Sequence, residues 1–322
     1  MTVFSWRPIE PGDVAGWAAL VAAIQAADGD EEYFSEQDLL ETFDDPSNDF
    51  ARGSVVVLDG TVMAGYCLLM KRSAADPVHV MRHEGGVHPR YRNSGLGGQL
   101  LEWAEQAAVP IHEDAFGGHP LSLSGFCLQS NASAADLFES RGYRPVRWLH
   151  VMTIDLTQPL REIPGPSSGV EIVGFTPERS QDARLVRNEA FRDHWGSTET
   201  TAEGWAHTMG TQAFRPACSF LAYDAGDPLG VILAFEYDAY LKATGIRDLF
   251  IALVGTRRAG RKRGIASALV ARALAEAKDA GFVRASLDVQ ADSMTGAVGL
   301  YERIGFSISH SVAYYEKALT AS

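Results

Sequence analysis

Thr256-Arg-Arg-Ala-Gly-Arg261-Lys-Arg-Gly264-Ile-Ala266 runs into Leu269, Val270, Ala273 and Leu274. The same pattern stands earlier as Val87-His-Pro-Arg-Tyr-Arg92-Asn-Ser-Gly95-Leu-Gly97, before Leu100, Leu101, Trp103 and Ala104. In each copy an arginine sits three residues before a glycine, and a Gly or Ala follows two later. A strand, a glycine turn and a helix in succession point backbone N–H groups at one spot, at the positive end of the helix dipole. That geometry suits a pyrophosphate.

Each copy has a companion downstream. Asn131-Ala-Ser-Ala-Ala-Asp-Leu-Phe138-Glu-Ser-Arg-Gly142-Tyr143 follows the first, and Ser293-Met-Thr-Gly-Ala-Val-Gly-Leu-Tyr301-Glu-Arg-Ile-Gly305-Phe306 the second. Both read as a short helix stopped by glycine, then an aromatic that opens a strand. Gly95 and Gly264 lie 169 residues apart and Gly142 and Gly305 lie 163 apart, so the first half carries about six extra residues. The Gly/Pro-punctuated stretch Pro110–Pro120 is the expected loop insertion. The chain is an internal duplication at domain size.

The 322 residues suffice for two domains, and 46% apolar with 21% charged residues is ordinary for a globular protein. There is no apolar run of membrane-spanning length and no apolar signal core at the start, and Cys67, Cys127 and Cys218 show no pairing pattern. The expectation is a cytoplasmic protein with no membrane partner. The net charge of −13 argues against nucleic acid. Residues 1–160 hold 22 acidic and 10 basic side chains and the remainder 19 and 18, with five cations gathered in Arg257–Arg263. A basic spot on an acidic protein points to a defined anionic ligand. His79, His83 and His88 lack a metal-ligand spacing, so no metal is expected. The acidic run Asp28–Glu32 reads as a solvated helix end, with attraction of a cationic substrate as the alternative.

Periodicity gives each half the same order: a strand, two helices, three strands, the glycine loop and its helix, a strand, a short helix and a final strand. The expected domains are 1–156 and 170–322, joined by the Pro/Gly-rich linker 157–169.

These motifs resemble the GNAT superfamily of acyl-CoA-dependent N-acyltransferases, whose signatures are the Gln/Arg-x-x-Gly-x-Gly/Ala loop and the Leu-Tyr-Glu…Gly-Phe segment. The resemblance covers nearly the whole chain and is similar in layout to tandem-GNAT proteins of the mycothiol-synthase type. It implies an α/β fold of two tandem domains, each a splayed mixed β-sheet flanked by helices, with acetyl-CoA in the notch between two parting strands. By position, Val254, Gly255 and Thr256 would pair with the pantetheine. Arg261, Lys262, Arg263, Gly264, Ile265 and Ala266 would hold the pyrophosphate, and Ser293 would touch the pantetheine arm. The first-half counterparts are Val87, Arg92, Asn93, Ser94, Gly95, Leu96, Gly97 and Asn131.

Tyr301 occupies the family's acid position, where its hydroxyl would protonate the departing thiolate. Phe138 stands there in the first half and has no proton to give. The second half is therefore expected to be catalytic and the first a degenerate copy. Where members of the mycothiol-synthase type tend to place a base, Leu249-Phe250-Ile251 offers no carboxylate. Glu236 is the first candidate; Asp248, Glu189, Asp193, His194 and water are the others. The expected activity is direct acetyl transfer from acetyl-CoA to a primary amine of a small molecule or peptide, by a monomer or homodimer. The alternatives are a mycothiol-synthase-like thiol-cofactor acetyltransferase and a CoA-binding sensor or scaffold without turnover.

Overall fold

The computed structural model describes residues 4–29, 33–45, 48–71, 75, 77–192, 199–292 and 296–319. The first half contains β1 (Ser5–Arg7), α1 (Val14–Asp28), α2 (Glu36–Asp44), α3 (Phe50–Gly53), β2 (Ser54–Asp59), β3 (Val62–Met70), β4 (His79–Val87), α4 (Leu96–Phe116), β5 (Leu121–Leu128), α5 (Ala132–Ser140) and β6 (Arg144–Asp155). The second half contains β7 (Val170–Gly174), α6 (Ser180–Ala190), α7 (Ala202–Gly210), β8 (Phe220–Asp224), β9 (Asp227–Phe235), α8 (Asp238–Thr244), β10 (Asp248–Thr256), α9 (Ile265–Asp279), β11 (Arg284–Gln290), α10 (Ala297–Ile304) and β12 (Ser307–Leu319). The repeated order is the one periodicity gives, with α3 and α8 added.

Two compact units result, and they are not the consecutive blocks 1–156 and 170–322. One holds the chain to Arg147 together with the stretch from Val312, and the other is Trp148–Ser311. Each half ends in a strand that completes the other half's sheet. In the first unit the order is β1-β2-β3-β4-β5-β12, with β12 antiparallel to β5 from Val312↔Leu128 to Leu319↔Leu121. In the second it is β7-β8-β9-β10-β11-β6, with β6 antiparallel to β11 from Leu149↔Gln290 to Asp155↔Arg284. A period-2 pattern places a strand on a sheet without naming the sheet, so this exchange is invisible to periodicity. The 157–169 stretch is also more than a linker. Leu160 and Ile163 pack on the core of the second unit, and Lys278 Nζ donates to the carbonyls of Leu156 and Gln158 at 2.6 and 2.7 Å.

The six extra residues lie in a helix rather than a loop: α4 has 21 residues and α9 has 15, a difference of six. Pro110 does not end α4, because Ile111 and His112 just beyond it are buried and anchor the last turns. His112 meets His79 of β4, Nδ1 to Nδ1 at 2.8 Å, and Phe116 packs on the His79 ring. Burial of that face outweighs the lost hydrogen bond.

In both units the helix after the glycine loop presses on the sheet where a glycine leaves room. Gly65 pairs with Val87 and Gly230 with Thr256, the last residue of the strand in each case. A Cβ on Gly230 would lie 2.5 Å from Ile265 Cγ2 and 3.0 Å from Leu269 Cδ1. Gly230→Ala is expected to lower stability by about 1–3 kcal/mol through this overpacking. An unchanged urea midpoint would show that the helix does not seat as described.

Candidate functional site

Parallel pairing of β10 with β11 runs from Asp248↔Arg284 to Ile251↔Leu287 and then stops. Beyond that point β10 stays with β9 as far as Thr256↔Gly230, after a register shift between Ile251 and Leu253. Meanwhile β11 stays with β6 to Gln290↔Leu149. Two strands held to different neighbours must diverge, and the result is a notch facing Leu253–Thr256. The first unit forks in the same way. There β4 leaves β5 after Arg82↔Ser124 and follows β3 to Val87↔Gly65.

The loop past each notch has one backbone form. Asn93 and Lys262 lie at φ 61° and 63°, and Gly95 and Gly264 at φ 84° and 76°. A left-handed lysine costs about 1 kcal/mol, and that strain sits where backbone N–H groups converge. Gly95 and Gly264 cap α4 and α9 without any side-chain capping bond, which leaves the first helical N–H groups for an outside acceptor.

The five cations of the second loop divide by partner. Arg257 is bound to Glu189 at 2.7 Å, and Arg263 to Asp224 at 2.8 Å and to Ser167 Oγ at 3.0 Å. The Arg263 side chain thus braces the 157–169 stretch instead of facing the notch as a free cation. Arg261 reaches only the Ala190 carbonyl at 3.5 Å, and neither it nor Lys262 has a carboxylate partner among the described residues. These two exposed cations stand beside Gly264, Ile265 and Ala266 at the start of α9. Thr256 Oγ1, at the end of β10 beside Val254 and Gly255, is buried and has no hydrogen-bond partner among the described residues. A buried hydroxyl left so is costly. Ser293 lies outside the described residues.

Tyr301 is placed by α10 against the buried faces of β10, β11 and β6 and meets Phe306 edge-on, with ring centres 5.8 Å apart. Burial pushes its phenol up to about 12, and its hydroxyl has no hydrogen-bond partner among the described residues. Arg161 secures the far end of this helix: its Nη1 donates to the carbonyls of Glu302 and Arg303 at 3.0 and 3.1 Å. A cation on the last carbonyls of a helix both caps it and complements its dipole. No local pattern signals this role, because Arg161 lies in the stretch read as linker.

In the first unit the hydroxyl has changed places. Phe138 stacks on Tyr315 at 5.0 Å, and Tyr143 stands where Phe306 does. The Tyr143 hydroxyl is fully buried, and its burial first, then the neighbouring Glu105 carboxylate, raises its pKa. It is sealed off from any ligand.

The carboxylates considered as bases are committed elsewhere. Glu236 accepts from Arg215 Nε and Arg247 Nε, both at 2.7 Å. Burial raises its pKa, but the hydrogen bonds from Arg247 and Arg215 prevail and hold the carboxyl below its ordinary range. Asp248 is tied to Arg284 at 2.7 Å and to Ser286 Oγ, and Glu189 to Arg257. Asp193 and His194 lie outside the described residues. Among those residues no group of three or more His, Cys, Asp or Glu could hold a metal ion, and no helix is long and apolar enough to cross a membrane.

Comparison with known proteins agrees with this geometry. Residues 183–306 match the Acetyltransferase (GNAT) family and residues 51–145 an Acetyltransferase (GNAT) domain. The chain is similar to a mycothiol acetyltransferase of Salinispora arenicola, at 32% identity over 96% of this chain and 95% of the relative. Among solved structures it is similar to a GCN5-related N-acetyltransferase from Sphaerobacter thermophilus, with TM-score 0.78, 30% identity and coverage of 99% and 96%. A tandem GNAT protein from the clavulanic acid biosynthesis pathway shares the fold at TM-score 0.73 and 13% identity, with coverage of 99% and 100%.

Proposed function

The chain belongs to the GNAT family and is an acetyl-CoA-dependent acetyltransferase; from that premise we propose that it acetylates an amine in the manner of the mycothiol acetyltransferases, using the notch of the second unit. The observation that carries the acceptor class is the 32% identity with a mycothiol acetyltransferase along 95% of that protein's length. A general amine acetyltransferase, the first expectation from sequence, is less well supported. The apolar Leu249-Phe250-Ile251 stretch weighed against the mycothiol reading there, and a likeness running the length of both chains weighs more.

In this reading the backbone N–H groups of the Arg261–Ala266 loop, with Arg261 and Lys262, take the pyrophosphate. Val254–Thr256 pairs its free edge with the amides of the pantetheine, and Thr256 Oγ1 gains its missing partner. The neutral amine attacks the thioester carbonyl, and the C–S bond breaks as the amide forms. Tyr301 faces the sulfur as negative charge builds on it. Burial pushes this phenol up to about 12, which disfavours handing its proton to a thiolate. The part of Tyr301 is therefore a hydrogen bond to the leaving thiolate, strongest in the transition state, with solvent supplying the proton. Glu236 has no proton-transfer role here, since both its oxygens are held by arginines. Water carries off the amine proton.

Two outcomes test this. Tyr301→Phe is expected to lower kcat about 10²-fold with little change in KM for acetyl-CoA. Because burial raises this phenol, it stays protonated up to high pH, and the wild-type rate shows no downturn from it below about pH 10. An alkaline limb near pH 8 that vanishes in the variant would refute this assignment. With release of free CoA thiol as the readout, the des-acetyl form of mycothiol is expected to exceed simple primary amines by about 10²-fold in kcat/KM. Equal turnover of simple amines would sink the acceptor class.

A further inference from the structure

The first unit contains a cavity of about 460 Å³ along its own fork, reaching from the Arg92–Gly97 loop to α1. Its loop has the backbone form of a pyrophosphate cradle, yet the charge that should face the pyrophosphate is spent. Asp28, at the end of α1 and on the cavity wall, grips Arg92 with both oxygens, at 2.6 and 3.0 Å. The equivalent Arg261 has no carboxylate partner among the described residues. Glu84 adds a second carboxylate to the same wall. A diphosphate entering here would meet the Glu84 carboxylate and an arginine already neutralised by Asp28.

Deeper in, the cavity holds two polar groups without partners. Gln25 and His83 line it, both side chains are more than nine-tenths buried, and neither Gln25 Oε1 nor His83 Nε2 has a hydrogen-bond partner among the described residues. The His83 ring lies beside Phe138, in space that exists because residue 125 is glycine. Burial lowers the His83 pKa to about 4, so the ring is neutral at pH 7. Between these groups and the loop runs the edge of β4 beyond Arg82, which has no pairing with β5. Ile24, Leu100 and Phe126 supply apolar walls. An unpaired strand edge takes an extended amide chain, and two buried orphans ask for hydrogen bonds rather than charge.

We propose that the cleft of the first unit is a second binding site, for an extended amide-bearing chain without a diphosphate, anchored by Gln25 and His83 and closed to CoA by the Asp28–Arg92 pair. The site differs from the notch of the second unit in ligand class and not merely in lacking a tyrosine.

Binding stoichiometry on the full chain tests this, with CoA and pantetheine as the two probes. Pantetheine carries the amides of CoA without its diphosphate. Wild type is expected to bind one more pantetheine than CoA per chain, and His83→Leu to lose that extra pantetheine. Asp28→Asn is expected to bind one more CoA than wild type, with its pantetheine count unchanged as proof that the unit still folds. If Asp28→Asn loses pantetheine, the wild-type difference decides alone. Equal wild-type counts of CoA and pantetheine would overturn the proposal, as would an Asp28→Asn variant that keeps its pantetheine and gains no CoA. The absolute count rests on the reading of the second unit, but the differences do not. A wild-type chain that binds no CoA, beside an Asp28→Asn variant that binds one, would strike the second-unit assignment and leave this proposal standing.

Discussion

Four paired residues followed by a parting of the strands set the terms for the rest of the molecule. β10 cannot follow both β9 and β11 beyond Ile251, because β11 is held by β6 through Gln290. An unpaired strand edge is ordinarily a liability, open to any chain that can complete it. Here it opens inside a notch that ends at a helix N-terminus, so the groups left over by the sheet and the groups left over by the helix lie along one cleft. Gly230 lets α9 sit low against the sheet, and Arg161 fixes the end of the helix that carries Tyr301.

The duplication makes the first unit an internal control. It has the same fork, the same left-handed residues in the loop and the same glycine under the helix. What differs is a small set of side chains. Phe138 replaces Tyr301, the hydroxyl moves to Tyr143 and is buried, and Asp28 neutralises Arg92. Scaffold and side chains are thus separable in this fold: the two backbones agree while hydroxyl-bearing and charge-bearing side chains differ.

The sequence carried most of the scaffold. The glycine loops, the strand before each and the short helix ending in Gly142 or Gly305 are local patterns, and local patterns fix local structure. Four things escaped it for one reason, namely that they depend on partners far away in the chain. The exchange of β6 and β12 follows from pairing, which a strand's own alternation does not specify. Helix α4 runs through Pro110 because His112 finds His79, 33 residues earlier. Glu236 looked like a free carboxylate on a strand, and only the fold sets Arg215 and Arg247 on either side of it. The Asp28–Arg92 pair spans 64 residues and was equally unreadable.

The central claim is that acetyl-CoA sits in the notch of the second unit, along Leu253–Thr256 and the Arg261–Ala266 loop. Amide hydrogen exchange on the full chain, with and without acetyl-CoA, tests it most directly. The account predicts slowed exchange at Val254–Thr256 and Lys262–Ala266, with Glu84–Val87 and Asn93–Gly97 unchanged. Protection of the first-unit segments in place of the second would contradict it.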